Sequence, residues 1–108
     1  MTVREMADAF GFTPAALPDG DREVTGVYMG DLLSWVMGRA DAGDAWITIM
    51  SNLNIVAVAS LADTACIILS EGVKPDEGVA ALAEEKGVNI LLSPVSSFET
   101  SLKLCDVV

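Results

Sequence analysis

Ala45-Trp46-Ile47-Thr48-Ile49-Met50, then Ser51-Asn52-Leu53-Asn54, then Ile55 to Leu61, then Ala65-Cys66-Ile67-Ile68-Leu69 follow one another almost without a break, and this stretch decides the fold. The first block is a near-continuous apolar run of strand length, which is how a strand covered on both faces reads. The second offers helix-cap candidates. The third is an apolar helix with little polar face, expected to be largely buried. The fourth is another buried strand. A strand, a helix and a strand in succession point to a sheet that is mostly parallel.

The same alternation extends downstream. Glu71 to Glu77 reads as a loop with Gly72 and Pro75, and Asp76 can cap a helix from Glu77 to Lys86 that ends at Gly87. Val88 to Leu92 reads as a further strand. Ser96 and Glu99 form a capping box for a last helix running to about Leu104. Upstream, Asp41 to Asp44 is a turn. Asp31 is placed to cap a short helix, Leu32 to Met37, closed at Gly38, and Val24 to Met29 reads as a strand. Phe12 to Gly20, with Pro14 and Pro18, is a short extended piece and a turn. Thr2 and Glu5 form another capping box, for a helix with Val3, Met6, Ala7 and Phe10 at helical spacing and Gly11 at its end. The expectation is one α/β domain over residues 1–108. Its sheet is mostly parallel or mixed, of about four to five strands, with helices on both faces.

Composition narrows the function. Sixteen acidic residues stand against six scattered basic ones, a net charge of −10 in 108 residues. Neutralising nucleic-acid phosphates takes clustered Lys and Arg, so no nucleic-acid partner is expected. The same acidity disfavours an anionic membrane surface. Ile55 to Ala62, the longest apolar stretch, is interrupted by Ser60 and too short to span a bilayer. The start of the chain has no apolar core of a signal peptide. Two separated cysteines, Cys66 and Cys105, fit a reduced, cytoplasmic protein. The apolar content, 52%, is high for a small domain with much surface per residue, and points to a homodimer or to another protein subunit.

Chemistry finds little to work with. There is no histidine, so no serine has its usual base and no Cys/His zinc site can form. Gly72 to Gly78 contains Lys74 but neither a P-loop nor GxGxxG spacing. Cys66, inside an apolar strand, reads as an inert core thiol. The turn pairs Asp19/Asp21 and Asp41/Asp44 read as turn chemistry rather than a metal site. Neither a cofactor nor catalysis is expected. One positional pattern does stand out: Ser51, Ser70 and Ser93 each follow a buried strand. Ligands of open α/β sheets bind beyond strand carboxyl ends, where helix N-termini also attract anions. Ser51, Asn52, Asn54, Ser93, Ser96 and Ser97 would form a polar rim there. Arg22 and Asp31 join them as candidates, Arg22 alternatively pinning its turn through Asp21, Asp31 or a carbonyl. The reading is a non-enzymatic module acting by protein–protein contact; the alternative is a sensor of a nucleotide-like or anionic metabolite.

The stretch from Asp21 to Ser34, with Gly43 to Ile49, Asn54 to Ala59 and Lys74-Pro75-Asp76, resembles the DRTGG domain family. The namesake motif stands here as Asp21-Arg22-Glu23-Val24-Thr25-Gly26. The resemblance implies a fold like the N-terminal domains of bacterial HPr kinase/phosphorylase and of the Mur ligases. It also implies a regulatory or dimerising role, as in phosphotransacetylases and CBS-containing pyrophosphatases that carry such modules. The kinase reaction of HPr kinase needs a separate P-loop domain, and this sequence has no P-loop.

Overall fold

The structure, a computed structural model, describes residues 1–106. Ten elements follow in order: α1 (Val3–Phe10), β1 (Thr13–Ala16), β2 (Gly26–Met29), α2 (Leu33–Arg39), β3 (Asp44–Thr48), α3 (Asn54–Ala62), β4 (Cys66–Leu69), α4 (Val79–Lys86), β5 (Ile90–Leu92) and α5 (Ser97–Leu104). They build one five-stranded sheet in the order β1-β5-β4-β3-β2. β2 to β5 are mutually parallel, and β1 runs antiparallel beside β5 with a bulge between Pro14 and Ala16. The expected α/β class with a mixed sheet is the fold observed.

Successive residues of β3 and β4 point to opposite faces, so an unbroken apolar run feeds two cores. Trp46, Ile67 and Leu69 face one side, where Val36 of α2, Ile55 and Val56 of α3, and Val79 and Ala83 of α4 cover them. Ala45, Ile47, Cys66 and Ile68 face the other, under Val3 and Met6 of α1 and Leu104 of α5. The three crossovers from β2 to β5 step in one direction across the sheet. The fixed hand of such connections therefore lays α2, α3 and α4 on one face. The connection after β5 leaves to the opposite face, and that change of side matters below.

Several local expectations shift. Thr2 and Glu5 form the full capping box on α1, and Gly11 closes it in the left-handed region at φ 71°. Asp31 does not cap α2; the N-cap position is Leu32, without a side-chain bond, and the helix passes through Gly38 to Arg39. Asp76 does not cap α4. Gly78 at φ 85° resets the backbone there, so the helix starts at Val79. β2 begins at Gly26, two residues after Val24, although Val24 is buried in the α1–α5 core. Ser96 caps α5 by accepting from the Glu99 N–H. α3 has an outward face after all: Ala57, Ser60 and Leu61 are exposed.

Candidate functional site

A parallel sheet has two chemically different ends. The candidate residues divide between them, separated by the length of β3, roughly 15 Å at strand rise.

Arg22 lies at the amino ends. Its guanidinium donates to the Asp63 carboxylate and to the Asp63 carbonyl, both at 2.9 Å. Asp63 closes α3 in the left-handed region. Its carbonyl also accepts from the Gly43 N–H at 2.9 Å, and the Gly43 carbonyl accepts from Thr25 N–H at 3.0 Å. The hydrogen bond from Arg22, reinforced by its charge, holds the Asp63 carboxyl below the ordinary aspartate range. Asp21, an expected partner, pairs with Arg4 instead. Gly26 sits so close to the Asp44 carboxylate that a Cβ would collide with it, while that carboxylate accepts the Asp41 N–H at 2.8 Å. Gly43, at φ 87°, is equally tight against the Thr25 hydroxyl. Arg22, Thr25 and Gly26 are thus spent on clamping the entries of β2, β3 and β4. The physical reason is local. Chains arriving from three directions leave backbone groups that only side chains and close glycine packing can satisfy.

The other seven candidates are at the carboxyl ends, and their polar groups are mostly engaged with protein. Asp31 accepts from the Thr48 hydroxyl at 2.7 Å and the Ile49 N–H at 3.0 Å, tying the β2–α2 loop to the end of β3. Ser51 donates to Asp76 at 2.9 Å, and Asp76 N–H returns a bond to the Ser51 carbonyl. Asn52 accepts from Asn54 N–H. Ser93 shares a 2.8 Å hydrogen bond with Thr100, and Ser70 one of 2.6 Å with Ser97. The strand-following serines are therefore staples between neighbouring loops and α5, not a free rim.

One place at this end is open. α4 leaves β4 towards one face and α5 leaves β5 towards the other, and adjacent connections that part in this way open a crevice. A cleft of about 500 Å³ lies there, walled by Val73, Lys74, Leu92 and Pro94, with Gly11 and Thr13 across from them. Of the residues expected at a site, Ser93 alone lines it. Sequence reasoning passed over Lys74 and Thr13. Lys74 stood in a glycine-containing segment that was set aside for lacking a phosphate-loop pattern, and Thr13 carried no signal.

Burial pushes the Cys66 thiol up to about 12, so it stays protonated near neutrality, and Cys105 is exposed. Among the described residues no group of three or more His, Cys, Asp or Glu side chains could hold a metal ion, and no helix is long and apolar enough to cross a membrane.

An α/β layer with a clamped entry end and a split exit end defines a class of small modules. The DRTGG domain profile matches residues 22–107, and the chain belongs to that family, whose domains are regulatory modules. Among solved structures it is similar to the CBS and DRTGG domains of the regulatory region of Clostridium perfringens pyrophosphatase, a structure complexed with the activator diadenosine tetraphosphate. The TM-score is 0.74 at 15% identity, over 95% of this chain and 45% of that one. At that identity the likeness is one of fold, and this chain spans less than half of that neighbour. Comparison with curated proteins finds no match.

Proposed function

We propose that this chain is a non-enzymatic, cytoplasmic regulatory module that works by protein–protein contact, in the first place with a second copy of itself. The observation that carries this reading is the edge at β2. Gly26-Val27-Tyr28-Met29 is a sheet edge with no proline, no bulge and no charge. Around its carboxyl end stand Met29, Leu32, Trp35 and Ile49, each about half exposed, with Arg39 stacked 3.7 Å over the Trp35 ring. Sheet edges are ordinarily blunted against pairing, as β1 is by Pro14 and its bulge. An open apolar edge is self-complementary across a two-fold axis, because two copies of one strand meet antiparallel there.

Sedimentation equilibrium over a wide concentration range tests this. A dimer persisting to low micromolar is expected. Leu32→Glu or Trp35→Glu should convert it to a folded monomer, while Ala81→Glu, on exposed α4, should leave it intact. A wild-type chain that sediments as a monomer throughout would sink the self-association reading.

A second reading, a sensor of a nucleotide-like or anionic metabolite, is favoured by the cleft where the β4 and β5 connections part. The regulatory region to which the similar structure belongs was crystallised with a nucleotide activator, which accords with small-ligand control of such assemblies.

A further inference from the structure

From the cleft between the ends of β4 and β5 we infer a binding site for a small organic anion that carries one negative charge on an apolar body, and not for a polyphosphate. The inference rests on the second reading above and narrows it. Its first support is the shape of the site. The cavity, about 500 Å³, is in the range that takes a metabolite-sized molecule. It exists because α4 and α5 leave adjacent strands for opposite faces, so it is built into the topology and not left by a loose side chain.

The second support is the lining. Val73, Leu92 and Pro94 give it apolar walls, and Lys74 is the sole charged side chain among them. Lys74 is exposed and, like Lys86 and Lys103 elsewhere on the surface, makes no ion pair among the described residues. The Thr13 hydroxyl, across the cleft, also makes no hydrogen bond among the described residues. Gly11 and Gly72 both hold positive φ, and a Cβ on either would meet nothing, so the mouth is open on two sides.

The third support is charge. One ammonium matches one carboxylate or one monoanionic phosphate ester. Three backbone N–H groups of the loop that could cradle further phosphates are already taken: Glu71 donates to Val95, Gly72 to Ser93 and Val73 to Ser70. Glu71 and Asp76 flank the segment, and the whole chain carries −10. A ligand with several negative charges would meet repulsion on all sides with one cation to offset it.

The test titrates uniformly labelled full-length protein with phenylacetate, phenylacetamide, inorganic phosphate and diadenosine tetraphosphate, following amide shifts. Expected are saturable shifts by phenylacetate confined to Gly11, Thr13, Gly72 to Lys74 and Leu92. Phenylacetamide and Lys74→Gln should each weaken binding about tenfold, the size of one charge-assisted hydrogen bond. Melting temperature checks that Lys74→Gln remains folded. Equal binding of the amide and the acid, or an unaffected Lys74→Gln, overturns the proposal. If diadenosine tetraphosphate shifts the cleft amides and phenylacetate does not, the monoanion inference falls and the sensor reading stands. If none of the four perturbs the cleft at millimolar concentration, both fall.

Discussion

The two ends of the sheet are made from similar residues and used in opposite ways. At the amino ends, Arg22, Asp63, Gly43, Thr25, Gly26 and Asp44 form a linked set of contacts in which donors meet acceptors and glycines are packed without spare room, and Asn89 ties Asp19 to Ala65 beside them. At the carboxyl ends neighbouring segments are joined in pairs by one or two hydrogen bonds, Asp31 to Thr48 and Ile49, Ser51 to Asp76, Ser93 to Thr100. A gap remains where the pairs part. A residue pattern that resembles a family signature therefore does not by itself mark a binding site. Here it marks the end whose side chains are spent on holding strand entries together.

Breaking the amino end should have the largest effect. Gly26→Val drives side-chain atoms into the buried Asp44 carboxylate, which cannot retreat without releasing the Asp41 N–H. The expected loss is about 3 kcal/mol or more, or failure to fold, read by urea denaturation. Gly38→Ala is the contrast. Its Cβ meets nothing, and in the last turn of α2 it should stabilise by up to about 0.5–1 kcal/mol. If both glycines tolerate side chains equally, the amino end is not clamped.

Asn89 comes next. It is 2% exposed, accepts the Asp19 N–H at 2.9 Å and donates to the carbonyls of Asp19 and Ala65 at 2.8 and 2.9 Å. Asn89→Ala strands those groups and should cost about 2–4 kcal/mol. Asp31→Ala probes the opposite end with a comparable deletion. It releases the Thr48 hydroxyl, itself 1% exposed, and the Ile49 N–H, and should cost about 1–2 kcal/mol. A larger cost for Asp31 than for Asn89 would reverse the ranking of the two ends.

How much of this could be read beforehand follows the distance over which each contact acts. β3, α3 and β4 were legible because apolar runs and their breaks are local, and so were the Thr2/Glu5 box and the Ser96 cap. Asp31 reads as a cap because capping is what an aspartate before a helix usually does. Its actual partners, Thr48 and Ile49, lie 17 and 18 residues away and are chosen by the pairing of β2 with β3. Arg22 has its partner 41 residues away for the same reason. It was grouped with Ser51 and Ser93 only because no local signal tells one end of a strand from the other. The cleft was out of reach in a further sense. It depends on α4 and α5 taking different faces, and apolar patterns identical on both faces of β3 and β4 carry no information about that choice.

The smallest expected effect is the most diagnostic of the amino-end clamp, because it has a pH signature. Arg22→Gln removes the charged partner of Asp63 but keeps a side chain able to donate. The folded-state Asp63 carboxyl is held below its ordinary value, so the pairing favours the folded state above the unfolded aspartate pKa, near about 4. That contribution is lost as pH falls through the lower folded value. Wild type should therefore melt a little above Arg22→Gln at pH 6, and the two should converge as pH is taken down towards 3. The Asp63 carboxylate is well exposed and Arg22 partly so, and the gap at pH 6 should therefore stay smaller than that produced by Asp31→Ala and shrink further with added salt. A gap that is the same at both pH values would mean that Arg22 acts through its stem and its bond to the Asp63 carbonyl, leaving the carboxylate outside the clamp.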